Sequence, residues 1–324
     1  MTFDRRTLFT TTGAMTVALV APRFATPAAA KGEMPTMQVV GAQRHTVGDA
    51  VVTALSDGYI KLGADAFPNA TLEDIRPLFD SVFMDPENFN AAVNAYLVDM
   101  PDRRVLIDAG GALGPFETLG RLSENLKALG IDPASIDALL VTHLHPDHIG
   151  GAMTQDGAPV FANAEMIVRG EEVSFWRDDA NVTEGSKGFF QLARKALDAY
   201  EGNDALTIFG GDTEVLPGFN AWFLPGHTPG HTGYMIDSGG EQMLVWGDIV
   251  HMPPVQFAKP DIYIGFDVNP DQAVATRRDV LAMAQAEKMK VAGMHHLFPG
   301  FGNIAKGDGE TAYYFVEAPF QYEI

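Results

Sequence analysis

The sequence predicts an α/β protein in which stacked sheets carry helices on their outer sides. Three observations predict it. Apolar runs of strand length alternate with longer stretches whose apolar residues recur at helical spacing. This alternation occurs twice, so each half of the chain reads as strands followed by helices. The 324 residues, 46% of them hydrophobic, also suit one enzyme-sized core.

Taken in order, residues 1–30 do not read as fold. Asp4-Arg5-Arg6-Thr7-Leu8-Phe9 sets an arginine pair ahead of a weakly apolar stretch from Ala14 to Ala21, and Ala28-Ala29-Ala30 follows. The order resembles a twin-arginine signal peptide cut near Ala30-Lys31. Its apolar run is shorter than the ~20 residues that cross a bilayer. The expected location is therefore periplasmic or secreted, with 31–324 as the working domain.

Strands are expected at Val51–Leu55, Asn94–Val98 and Val105–Asp108, the last two joined by a hairpin turn at Pro101-Asp102-Arg103. The apolar spacing from Phe116 to Leu129 fits a helix ended by Gly130, and Ala138–Thr142 reads as a buried strand. The second half offers a strand at Glu165–Val168 and a helix at Lys187–Tyr200. Strands follow at Ala221–Leu224, Gly233–Ile236 and Met243–Trp246, then a helix at Pro270–Met289 and a strand at Val291–Gly293.

Charge and composition exclude several functions. A net charge of −20 repels phosphate backbones and anionic membrane surfaces, so neither nucleic acid nor membrane is an expected partner. With no cysteine there is no disulfide, no thiolate ligand and no cysteine nucleophile. A metal must then sit on nitrogen and oxygen.

Thr142-His143-Leu144-His145-Pro146-Asp147-His148 packs three imidazoles and a carboxylate into six positions directly after a buried strand. Such groups are costly to desolvate together, and a divalent cation satisfies them all; imidazole with carboxylate suits zinc, cobalt, manganese or iron. At i, i+2, His143 and His145 can face one ion while Asp147 and His148 turn toward a second. Further donors end later strands: His227 and His231, Asp248 and His251, His295 and His296. Of the nine histidines only His45 stands apart, and it reads as a surface residue.

The order His-x-His-x-Asp-His, His, Asp, His resembles the metallo-β-lactamase superfamily, whose fold is a four-layer αβ/βα sandwich with a binuclear centre. Gly120-Arg121-Leu122, the run from Val245 to His251, and His295 followed by Phe298-Pro299-Gly300 are similar to the methyl parathion hydrolase and lactonase branch. The resemblance implies His143, His145 and His227 on one ion, Asp147, His148 and His295 on the other, and Asp248 bridging. It implies two divalent ions, zinc first, and a water shared between them as the hydroxide nucleophile. It gives Asp147 a second task as the catalytic proton carrier, and His231, His251 and His296 the part of outer or merely packed imidazoles.

The expected substrates are small neutral lactones, esters or organophosphate triesters, and relatives of this branch suggest a homodimer. Asp248 argues against lactam cleavage, and an acidic surface against ribonuclease action. A glyoxalase II-like thioesterase and a mononuclear iron enzyme resembling persulfide dioxygenase are the alternatives. Trp176, Phe190 and Phe257 are the aromatic residues expected to line the substrate pocket, out of a group that includes Phe175, Phe189, Phe298 and Phe301.

Overall fold

Side chains that alternate between two apolar surroundings decide how the strands stack. In the computed structural model, which describes residues 38–309 and 312–324, the first sheet holds β1 (Ala42–Val47), β2 (Ala50–Leu62), β3 (Phe89–Asp99), β4 (Arg104–Ile107), β5 (Ala138–Leu140), β6 (Glu165–Arg169) and β7 (Leu206–Phe209), side by side in chain order. The second sheet is likewise in chain order, with β8 (Thr213–Leu216), β9 (Phe219–Phe223), β10 (Thr232–Ser238), β11 (Glu241–Val245), β12 (Lys290–Ala292), β13 (Phe301–Lys306) and β14 (Tyr313–Glu317) side by side.

On one face of the first sheet, Ala54, Val98, Ile107, Leu140 and Ile167 meet Tyr234, Ile236, Val245 and Ala292 of the second. Their neighbours Leu55, Leu97, Leu106, Leu139 and Met166 point the opposite way, onto α2 (Leu122–Ala128), α4 (Gly170–Arg177) and α5 (Lys187–Glu201). Likewise Met235, Leu244 and Val291 pack outward on α7 (Pro270–Ala286). A period of two thus sorts each strand between a shared inner core and an outer helix layer. The four-layer αβ/βα sandwich expected from the sequence is the observed architecture. Residues Val40–Ile324 form one unit; the expected signal peptide lies outside the described residues.

β4, β5, β6 and β7 run parallel, as do β11 and β12. Parallel neighbours need crossovers, and the helices supply them. The C-terminal ends of these strands therefore face one edge of the sandwich, where their loops collect. Two short helices, α3 (Pro146–Ile149) and α6 (Pro253–Gln256), stand at that edge, and α1 (Leu72–Ser81), started by a Thr71/Asp74 capping box, packs beside α6.

Three expectations need correction. Only Leu122–Ala128 of the stretch from Phe116 to Leu129 is helical, because Asp57 accepts the N–H groups of Gly111, Gly120 and Leu122 at 2.7, 3.0 and 2.8 Å and holds the approach as a loop. The last helix stops at Ala286, three residues early. His45 is buried, not on the surface; it lies on β1 with its ring 5.4 Å from that of Phe301. The turn at residues 101–103 is as expected, with Met100 N–H bonded to the Arg103 carbonyl at 2.9 Å.

Candidate metal centre

Four buried carboxylates build the frame before any metal ligand is considered. Asp57 fixes the loop after β4 as described. Asp108, the residue after β4, adopts a φ of +60°, a strained backbone that its surroundings must hold in place. Its carboxylate accepts the Thr142 N–H at 2.8 Å, the Thr142 hydroxyl at 2.7 Å and His148 Nδ1–H at 2.7 Å. Glu172 accepts the Leu144 N–H, the Trp176 indole N–H, the Thr228 hydroxyl and the Gly230 N–H at 2.6–2.9 Å. It thereby clamps the His143–His148 segment to the His227–His231 loop. Asp267 accepts His227 Nδ1–H at 2.8 Å, and the buried Arg277 stands 3.6 Å from its other oxygen while donating to the carbonyls of Ile249 and Pro260.

Against this frame the ligand atoms converge. His143 Nε2 lies 3.0 Å from His145 Nδ1, which lies 2.9 Å from His227 Nε2. A second group joins His148 Nε2 to Asp147 Oδ2 at 3.2 Å and His295 Nε2 to the same oxygen at 3.6 Å. Asp248 stands between the groups. Its Oδ2 is 3.2 Å from His227 Nε2 and 3.0 Å from His295 Nε2, while its Oδ1 is 3.3 Å from His148 Nε2.

The opposite ring nitrogens are occupied in four of the five histidines of the two ligand groups: His143 by Thr142, His148 by Asp108, His227 by Asp267, and His295 by the Ala92 carbonyl at 2.7 Å. Each hydrogen bond fixes a ring and leaves the other nitrogen free to ligate. His231 serves differently. It donates to the Leu224 carbonyl and accepts the backbone N–H of Asp248 at 2.8 Å, so it steers the shared carboxylate without joining the cluster.

The electrostatics ask for a cation. Burial, reinforced by neighbouring imidazoles, holds His143 and His145 well below their ordinary value, in the neutral form that ligates. Burial also opposes charge on His148, but Asp248, Asp147 and Asp108 outweigh it and raise the value well above normal. His227 is raised to about 9, its burial outweighed by Asp248 and Asp267. Carboxylates that draw protons onto buried imidazoles will draw a divalent ion into the same space. Both His148 Nε2 and Asp248 Oδ1 are buried with no hydrogen-bond partner, the condition of atoms that expect a metal. The residues fit divalent metal binding, with nitrogen and oxygen donors throughout.

A narrow cavity of about 30 Å³ lies above the cluster, lined by His145, Asp147, His227, Asp248, His251 and His295 and walled by Ile60, Leu62, Phe116, Phe189, Ile264 and Phe266. The aromatics expected there are elsewhere. Trp176 is buried behind His145, ring centroids 5.4 Å apart, with its indole N–H on Glu172. Phe190 packs on Trp176 at 4.5 Å. Phe257 lies beside Trp246 and His296, outside this cavity. All three are core residues, because their rings fill the helix layers. Phe189, one residue from Phe190, faces the cavity.

Five residues of the site were not expected in it. His251, expected to be an outer or packed residue, lines the cavity with Nε2 3.1 Å from Asp248 Oδ2 and its ring stacked on His295. The carboxylates Asp57, Asp108, Glu172 and Asp267 carried no expectation as parts of the site.

Comparison with known proteins adds four findings. The family described as "Metallo-beta-lactamase superfamily" matches residues 90–295. The solved structure of the hydrolase AbOPH, described as in the beta lactamase superfamily, is 32% identical, covers 88% of this chain and 100% of its own, and superposes with a TM-score of 0.83. AidC, described as a dizinc quorum-quenching lactonase in complex with a product, superposes at 0.80 over 87% of this chain and 98% of its own, at 24% identity, a likeness of fold. An N-acyl homoserine lactonase from a Bacillus species is 26% identical over 171 residues, 47% of this chain. The match spans about 61% of that relative's length.

Proposed function

Since this chain belongs to the metallo-beta-lactamase superfamily, we propose that it is a binuclear metal-dependent hydrolase acting on small neutral lactones, with esters and organophosphate triesters as further substrates. One observation carries the reading: Asp248 stands between two ligand groups, its Oδ2 3.2 Å from His227 Nε2 of one and 3.0 Å from His295 Nε2 of the other. The first group is His143, His145 and His227; the second is Asp147, His148 and His295. The second group is complete in itself, which favours two ions over the single iron of a persulfide dioxygenase-like enzyme.

Two divalent ions, zinc by preference, would lower the pKa of a shared water toward ~7 and polarise the substrate's carbonyl or phosphoryl oxygen. The chain's own residues supply the rest. Asp147 touches both the second ligand group and the cavity, so it is positioned to take the proton of the attacking water and return it to the leaving oxygen. His251 presents an imidazole to the same space and can hydrogen-bond the substrate's oxygen. Apolar walls exclude bulk water, and Phe266, 36% exposed, stands where a substrate must enter.

Acidity selects among substrates. A chain of net charge −20 with buried carboxylates at its centre disfavours polyanions. Several relatives carry N-acyl homoserine lactonase names, which supports a lactone as the first substrate to try. The signal-like residues 1–30 support export to the periplasm as part of the same proposal, and N-terminal sequencing of the exported protein tests it.

Metal analysis followed by a substrate panel tests the function. Two ions per chain and turnover of acyl-homoserine lactones, δ-lactones, aryl esters or methyl parathion are expected. One iron per chain with oxygen uptake overturns the hydrolase; two ions with no turnover of any panel member overturns the substrate class alone.

A further inference from the structure

β2 changes step at Asp57. Ser56 pairs with Asn94 and Gly58 with Val93, so β2 carries one residue more than β3 at this point and Asp57 has no partner across the ladder. A bulge of this kind re-aims a side chain, and here it turns a buried carboxylate toward the loop of residues 109–121. The approach is too close for a Cβ on either side: one on Gly58 would run into the Thr118 carbonyl oxygen, and one on Gly110 into the Asp57 carboxylate.

The loop is held in two halves. Its first half, 109–114, lies on the metal-binding turn through backbone bonds of its own: Ala109 N–H to the His148 carbonyl at 2.6 Å, Leu113 N–H to the Gly150 carbonyl at 3.1 Å, and Gly151 N–H to the Gly110 carbonyl at 2.9 Å. Its second half, 115–121, is tied to β2 instead. The Asp57 carboxylate takes the N–H groups of Gly120 and, at the start of α2, Leu122; the Asp57 carbonyl takes Arg121 N–H at 3.1 Å, and the Thr118 hydroxyl donates to the Tyr59 carbonyl. Phe116 stands in that second half, and Ile60 and Leu62 follow Asp57 on β2. All three wall the cavity over the metal ligands, so Asp57 joins two of its walls.

We propose that Asp57 is a positioning residue for the substrate: it sets the gap between Phe116 and the pair Ile60 and Leu62, and so the grip on the apolar chain that a lactone carries beside its reacting carbonyl. The inference rests on the hydrolase reading above and deepens it, since it concerns which lactones that site holds. Asn at position 57 keeps the shape of the side chain but offers one oxygen where two are used, Oδ2 by Gly111 and Gly120 and Oδ1 by Leu122. One side of its amide must then turn an NH₂ toward N–H donors. The half of the loop on the metal-binding turn keeps its own bonds, and the half bearing Phe116 loosens.

Kinetics of metal-loaded Asp57→Asn protein on N-butanoyl- and N-octanoyl-homoserine lactone test the role. KM for the octanoyl substrate, whose longer chain reaches the apolar walls, should rise roughly tenfold and KM for the butanoyl substrate no more than about twofold, with kcat lowered about twofold for either. Phe116→Ala should give the same pattern, and the double variant should be no worse than Phe116→Ala alone, because the tie has no ring left to place. A residue that only holds the fold would shift both substrates equally and add to Phe116→Ala; either result would overturn the inference. Thr118→Val removes only the bond to the Tyr59 carbonyl, so it tests the same tie if Asp57→Asn does not fold; it should raise the octanoyl KM in the same direction, and an unchanged value would count against the role. Hydrogen exchange reads the tie without turnover: amides of 115–122 should exchange faster in either variant, and those of 143–148 at the wild-type rate. If the wild type turns over neither lactone, the substrate class fails by itself; faster exchange confined to 115–122 would then still support the positioning role, and unchanged exchange there would overturn it.

Discussion

Gly247 offers a test, by one methyl group, of whether the outer imidazoles position the shared carboxylate. Its φ is +60°, and a Cβ there would lie 2.3 Å from His231 Nε2, the atom that accepts the Asp248 N–H. Alanine in this backbone region costs about 1–2 kcal/mol. Displacing His231 leaves the buried N–H of Asp248 unpaired, for about 1–3 kcal/mol more. Gly247→Ala should therefore lose roughly 2–5 kcal/mol, and at about 2–4 °C per kcal/mol melt roughly 4–20 °C lower. Since Asp248 faces both ligand groups, bound metal should fall at both positions. Thermal melts and metal analysis of Gly247→Ala, His231→Ala and the double variant read both effects. Removing the imidazole removes the obstruction, so the double variant should fall short of the sum of the singles. A Gly247→Ala protein that melts and loads like the wild type, or strict additivity in the cycle, would refute the reasoning.

Three further outcomes are expected. Asp147→Asn should reduce turnover more than metal content; equal losses would leave Asp147 as a ligand and no more. Asp267→Asn removes the negative charge from the acceptor that orients His227 and should weaken loading by roughly 10–100-fold, with the loss concentrated on one of the two ions; uniform loss measured by stepwise metal titration would contradict the separate groups. His296, pushed by burial from 6.5 to about 3, takes up its proton between those values only in the unfolded chain, so stability falls as pH drops through that window. The melting temperature of His296→Phe should accordingly decline less from pH 6.5 to about pH 4 than that of the wild type, and parallel curves would show that another group carries the acid sensitivity.

The inner strands other than β13 were legible because each contains an apolar run bounded by turn residues and too short for a helix. What escaped was what depends on distant partners. The helix expected from Phe116 begins only at Leu122 because Asp57, more than fifty residues earlier, binds the loop's N–H groups, and apolar spacing carries no record of that. The outer strands β1, β7, β8 and β14 each have one neighbour and half-exposed side chains, so their runs lack contrast. In α1, Pro77 interrupts the helical pattern.

The centre divides along the same line. His143, His145, Asp147 and His148 stood out because crowding them is costly without a shared partner, a signal contained within six positions. Asp108, Glu172 and Asp267 are single acids among 42, and only the fold brings each against a histidine ring or a loop amide. Asp108 did leave a trace, an acid after a strand and before Gly110-Gly111, where a strained turn is due. Trp176 shows why the pocket was misjudged. Trp176 stands in a charged stretch, Glu171 to Asp179, where a buried ring is harder to expect, yet one of those charges, Glu172, is itself buried and holds the indole inward while it clamps the loops bearing His145 and His227. The acid that made Trp176 look exposed is the reason it is buried, and it connects that ring to the metal centre as support for the ligands instead of as a surface for the substrate.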